Sequence, residues 1–237
     1  MVPRELGRAA AEGAVGAGLM AVADYFALEG AFELAFPPMG IAVRGAVRSV
    51  ILLSHQPVRG LDGGRIAITR ETSTSRRLLE LLARARWRIE PEWIPEDEID
   101  ADPREAVDAL LLIGDRALEA MADSGRLGWE RMIDLAAEWR AWQRLPFVFA
   151  VWALRTTLPR RERDRLAGFL SGSLAVGMEH LPAIAAAAAG RFGTKDELTA
   201  YLDNFVYRLG AGEREGLRRF RDLLAEHDIL EYRQTPI

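Results

Sequence analysis

The sequence contains no cysteine and only three histidines, His55, His180 and His227. Without thiols there is no disulfide, no thiolate nucleophile and no Cys-type zinc site. No two of the histidines stand at metal-ligand spacing, so no metal is expected. Nor does any apolar run approach the roughly 20 residues of a membrane span. Met1 to Glu12 lack the charged-then-apolar plan of a signal peptide, which makes the cytoplasm the expected location. A basic excess is missing as well. The net charge is -4, and the many arginines are interleaved with Glu and Asp, which argues against a nucleic-acid surface.

What is present is an ordinary globular composition. The 237 residues are 49% hydrophobic and 28% charged, enough for one or two cores. The most informative stretch is Arg65 to Leu82, RIAITRETSTSRRLLELL. The turn Asp62-Gly63-Gly64 leads into an apolar strand over Ile66, Ala67 and Ile68, and Leu78, Leu79, Leu81 and Leu82 give the periodic face of a helix. Thr72, Ser73, Thr74 and Ser75 lie between strand and helix, where a helix N-terminus offers unpaired N–H groups to an anion.

Along the chain, Pro3 to Gly13 reads as an opening helix, Ala17 to Val22 as a short buried strand, and Asp24 to Phe32 as a helix or turn before Pro37-Pro38. Ile41 to Arg44 and Ala46 to Ser54 are β-rich, the second long enough to run from one lobe into another. Trp87 to Trp93 is expected as a strand, Glu96 to Arg104 as an acidic loop, and Ala109 to Gly114 as a buried strand before a helix over Arg116 to Ala122. Met132 to Trp142 reads as irregular or helical, and Pro146 to Leu154 as a second long strand. Everything beyond is expected to be helical, including a capping box of Thr194 with Glu197 and a last helix burying Leu217, Phe220 and Leu224. This order describes an α/β chain with an inserted lobe. Residues 56–145 form one unit, joined by two long strands to a lobe built from 1–55 and 146–237. Ligands in such an arrangement lie between the lobes.

Several segments together resemble the chorismate dehydratases of the futalosine route to menaquinone, a family with a two-lobed periplasmic-binding-protein-like (type II) fold. They are VRSVILLS (Val47 to Ser54), the loop Thr72-Ser73-Thr74-Ser75, LLLIGDRAL (Leu110 to Leu118), DLAAEW (Asp134 to Trp139) and LPFVFAVWALR (Leu145 to Arg155). Their order and spacing follow the family over roughly the middle half of the chain. Set against that order, the sequence begins after a strand, helix and strand that carry a Tyr-Leu-Asn-like loop, so the family's Asn has no counterpart here. Thr72 stands where the family has serine, Gly16 where a strand-opening Asp is common, and Asp134 to Trp139 varies a DLGxxW pattern.

The resemblance implies loss of water from chorismate to give 3-[(1-carboxyvinyl)oxy]benzoate, driven by aromatisation and needing no cofactor. It points to Thr72 and Ser75 as catalytic hydroxyls and to Ser49, Ser73, Thr74, Gly114 and Asp115 as substrate-binding positions. The substrate has two carboxylates, so an acidic protein must supply local donors. Plainer readings stand beside these. Thr72 or Ser73 caps the following helix, Asp115 caps the next one, and Phe147, Phe149 and Trp152 are core rather than an aromatic wall. Arg44 and Arg70 are candidate carboxylate partners. His55, with no visible partner, reads as structural. A related dihydroxynaphthoate synthase uses a histidine from the inserted lobe, and no histidine occurs between Gln56 and Glu179. The alternative function is a non-catalytic solute-binding protein or truncated family member that binds a small carboxylate. A homodimer is a further expectation, and neither nucleic acid nor membrane is an expected partner.

Overall fold

The computed structural model describes residues 3–69, 73–122 and 128–230. In chain order these form α1 (Pro3–Ala11), β1 (Ala17–Ala21), α2 (Val22–Ala27), β2 (Phe32–Leu34), β3 (Met39–Val43), β4 (Val50–Ser54), β5 (Arg65–Ile68) and α3 (Thr74–Leu81). There follow β6 (Glu92–Pro95), α4 (Pro103–Ala106), β7 (Ala109–Ile113), α5 (Gly114–Ala122), β8 (Arg131–Asp134), α6 (Leu135–Gln143) and β9 (Phe147–Arg155). The chain closes with α7 (Arg160–Glu179), α8 (Leu181–Ala188), α9 (Lys195–Asp203), β10 (Phe205–Arg208) and α10 (Ala211–Glu226).

Two five-stranded sheets result. The first runs β1-β9-β3-β10, with β2 also paired to β9, and all of its pairings are antiparallel. The second runs β6-β5-β7-β4-β8, with β5 parallel to β6 and β7 and with β4 antiparallel to both β7 and β8. Strands β5, β7 and β8 therefore point their carboxyl ends the same way, and β4 begins at that edge. Each of the three leads toward a helix, so helix N-termini gather at one end of the second sheet.

Four local expectations are corrected. The strand expected over Ala46 to Ser54 is only β4, because Arg48 is left-handed (φ 65) and breaks it. Neither long strand joins the sheets: β4 belongs wholly to the second and β9 wholly to the first. Trp87 ends a helix instead of opening a strand. Leu82–Trp87 prolongs α3 with wider π-type turns, and the left-handed Arg88 (φ 58) stops it before β6. Phe205 to Arg208 is a strand in a tail expected to be helical, since α9 ends at Asp203 and the free edge of β3 then captures the following residues.

The junction of the sheets is an apolar core. Trp139 of α6, Phe147 of β9 and Phe220 of α10 meet edge to face, with ring centroids 5.3, 5.8 and 4.9 Å apart. The indole N–H of Trp139 donates to the Pro146 carbonyl at 3.2 Å. Gly216 lets α10 approach this corner, as a Cβ there would lie 2.1 Å from the Pro146 oxygen.

Candidate active site

The hydroxyl loop ends in a helix whose apolar face fixes it. Leu78, Leu79, Leu81 and Leu82 are fully buried, so the α3 N-terminus is held at the carboxyl end of β5. Thr72 and Arg70 lie outside the described residues. Ser73 occupies the N-cap position, yet its side chain makes no capping hydrogen bond, and its Oγ is buried without a hydrogen-bond partner. Burying a hydroxyl in that way is costly, so the capping reading does not account for Ser73. Thr74 and Ser75 are both buried in the first turn. The Thr74 Oγ1 accepts the backbone N–H of Ala23, at the start of α2, at 3.1 Å. That bond links the two sheets' layers and leaves the threonine's own proton free to donate.

The second group of candidates sits on β4 and β7. Ser49 directly precedes β4 and is buried, and its carbonyl accepts the Gly114 N–H at 2.8 Å. Gly114 takes positive φ (57) as β7 turns into α5, a conformation that favours glycine. Helix α5 begins at Gly114, two residues earlier than expected. β4 lies two strands from β5, a separation of about 10 Å, and β7, which runs into Gly114, lies between them.

Asp115, at the start of α5, is ion-paired. Its carboxylate pairs with Arg191 at 3.4 Å, and Arg191 also reaches Glu119 at 3.2 Å. Arg191 lies between α8 and α9, so these pairs tether the helical tail to α5. Both partners are well exposed, and such pairs contribute little to stability.

Two further residues neighbour Ser49. Tyr201, on α9, hydrogen-bonds to the Ser49 side chain. Burial raises the Tyr201 pKa, the Ser49 bond pulls it back, nearby Asp115 raises it and Arg48 lowers it, with a net upward shift. Tyr201 is thus a neutral phenol at physiological pH. The signal for it was weak: a tyrosine in an apolar stripe carries a polar tip that needs a partner when buried. Arg48 is the other. Its charge acts on both Tyr201 and Glu197, and its strained backbone is held by Asp134, whose Oδ2 accepts the N–H groups of Val47 and Arg48 at 2.9 and 2.6 Å.

The remaining candidates are structural. Arg44 pairs at 3.0 Å with Glu213, a buried carboxylate at the start of α10. Phe147 is core, as the plainer reading had it, with Phe149 half-buried beside it. His55 stacks on Trp129 at 4.2 Å, and its Nε2 bonds the Arg104 carbonyl at 2.9 Å. Two depressions of about 610 and 730 Å³ flank Arg88, at the opposite end of α3 from Ser73. They share no residue with the candidate site.

A family model described as menaquinone biosynthesis matches residues 1–226. The chain is 34% identical over 248 aligned positions to the chorismate dehydratase of Thermus thermophilus, covering 94% of this chain and 84% of that protein. Among solved structures, protein AF1704 of Archaeoglobus fulgidus superposes with a TM-score of 0.74 at 21% identity, over 97% of this chain and 85% of that one. The periplasmic aliphatic sulphonate binding protein SsuA of Escherichia coli superposes with a TM-score of 0.57 at 18% identity, over 96% and 80% of the two chains. The fold is that of the periplasmic solute-binding proteins. No helix among the described residues is long and apolar enough to cross a membrane.

Proposed function

The chain belongs to the menaquinone-biosynthesis family, and from that premise we propose that it is a carbon–oxygen lyase that dehydrates chorismate to 3-[(1-carboxyvinyl)oxy]benzoate in the cytoplasm. The observation that carries the reading is the 34% identity to a chorismate dehydratase over 84% of that enzyme's length. In the reaction the ring C–O bond breaks and a proton leaves the neighbouring ring carbon. The C–H electron pair becomes part of the aromatic ring, and the departing hydroxide leaves as water after taking a proton. Aromatisation supplies the driving force, so the protein's task is to bind two carboxylates, exclude solvent and protonate the leaving group.

The residues suit those tasks. The α3 N-terminus, with the buried Ser73 hydroxyl, offers donors to one carboxylate. Arg48 offers a guanidinium to the other. Ser75 and Thr72 are the hydroxyls assigned to the leaving group, with Thr74 donating to substrate through the proton its Ala23 contact leaves free. Ser49 donates to the Tyr201 oxygen, so the phenol proton remains available toward the cleft, and the Gly114 turn admits the substrate close to the backbone. Asp115 serves by holding Arg191 and α9 in place.

Incubating the purified protein with chorismate and following the aromatic product by absorbance and mass tests the proposal. Product formation supports the lyase. A ligand-induced rise in melting temperature without product would replace it with the non-catalytic binding reading.

A further inference from the structure

The exposed apolar side chains of this protein concentrate on one helical hairpin. Among the described residues five large apolar side chains are exposed: Phe36 (82%) lies in the loop between β2 and β3, and the other four, Phe169 (73%), Val176 (56%), Ile184 (49%) and Met178 (40%), lie on α7 or α8. α7 is 20 residues long, about 30 Å, yet Ala167 is its one fully buried side chain. Leu166, Leu170 and Leu174 turn toward the first sheet and pack on Ala35, Met39 and Leu154. At 100° per residue the opposite face carries Arg161, Arg165, Gly168, Phe169, Gly172, Val176 and Glu179. A Cβ at Gly168 or Gly172 would meet nothing within 4 Å. Phe169 and Val176 are the exposed large apolar side chains on this face, and neighbouring apolar exposure of this kind marks an interaction surface.

We propose that this face of α7 docks a second copy of the chain, the two helices crossing antiparallel about a two-fold axis at Gly172. The occupant follows from self-complementarity. An antiparallel copy centred there sets Arg165 against the partner's Glu179 and Glu179 against the partner's Arg165. It also sets Phe169 beside the partner's Ala175 and Val176, in the space that Gly168 and Gly172 leave open. Arg165 and Glu179 are exposed and form no ion pair among the described residues, whereas their neighbours Arg160 and Arg163 are paired with Asp164 and Glu33. A contact in which the same patch serves both subunits is the isologous arrangement of two-fold dimers, with an apolar centre and a charged rim. The site described above lies elsewhere, so the dimer does not depend on the proposed chemistry.

Light scattering on a size-exclusion column, with the full chain at micromolar concentration, tests this. The expected mass is about twice that of the 26.3 kDa chain. Phe169→Glu and Val176→Glu are expected to give monomers with unchanged far-UV circular dichroism. Arg165→Glu is expected to weaken dimerisation on the order of tenfold, two pairs being lost per dimer, and adding Glu179→Arg to the same chain is expected to restore it. A monomeric wild type overturns the proposal. So does a dimer that survives both glutamate substitutions, or a charge swap no tighter than Arg165→Glu alone.

Discussion

Asp134 accepts the backbone N–H of Arg48 at 2.6 Å with the same Oδ2 that takes the Val47 N–H at 2.9 Å, while its Oδ1 caps α6 through Ala137 at 2.9 Å. One carboxylate therefore fixes the passage between the sheets, the start of α6 and the left-handed turn that places Arg48 and Ser49 at the site. Asp134→Ala is predicted to destabilise the protein by about 2–4 kcal/mol, the sum of a lost cap and two charge-assisted bonds. Because a left-handed non-glycine residue costs about 1–2 kcal/mol, Arg48→Gly is predicted to recover part of that loss while weakening substrate binding. Urea melts of the two single variants and the double variant measure both effects. An Asp134→Ala protein as stable as wild type would show that the turn holds itself.

Thr74 is tied to Ala23 across the cleft base. Thr74→Val removes the acceptor and leaves a buried N–H unsatisfied, with a predicted cost of about 1–3 kcal/mol. Thr74→Ser keeps the oxygen and is predicted to stay near wild-type stability and activity. Thermal unfolding with a turnover assay separates the two substitutions, and equal behaviour of the valine and serine variants would remove the hydroxyl from the account.

Ser49 and Tyr201 are expected to act as a unit. Tyr201→Phe and Ser49→Ala should each lower kcat about tenfold or more, and the double variant should fall little further, because residues sharing one hydrogen bond are not additive. With the Tyr201 pKa raised, the wild-type kcat profile should show no tyrosine limb below about pH 10. Fully multiplicative losses in the double variant would separate the two residues.

Glu213 links acid stability to the first sheet. Burial would raise its pKa, but the Arg44 guanidinium, its own N–H and that of Gly210 outweigh burial and hold it below the usual carboxylate value. A pKa depressed in the folded state gives stability that is complete above the unfolded value of about 4.3 and is lost as pH falls through the folded value. Glu213→Gln should therefore flatten the acid limb of the stability curve. Chemical denaturation from pH 6 to pH 3 checks it, and an unchanged limb would clear Glu213 of the role.

Gly216 sits against the Pro146 carbonyl with room for a hydrogen alone. Gly216→Ala places a Cβ 2.1 Å from a backbone oxygen, and the predicted cost of shifting α10 is about 1–3 kcal/mol. Gly172→Ala, on the open face of α7, should leave the melting temperature of the monomer unchanged or raised by added helix propensity.

Much of this protein was determined by its sequence alone. The absence of cysteine and the scattered histidines removed whole classes of chemistry, and the leucine period of α3, the ALLLI run of β7 and the Thr194-Glu197 capping box were local signals that tertiary packing left intact. The hydroxyl loop, Ser49 and Gly114 could be named as candidates because their neighbours form recognisable motifs in a family order. Tertiary structure decided the rest. Whether Ala46 to Ser54 is one strand depended on Asp134, 86 residues beyond Arg48, which stabilises a left-handed Arg48 that no local preference favours. Whether Phe205 to Arg208 is helix or strand depended on the open edge of β3. Tyr201 became part of the site only when α9 brought its hydroxyl to Ser49. Each of these outcomes turns on a hydrogen bond between distant residues, and periodicity and propensity report on neighbours along the chain.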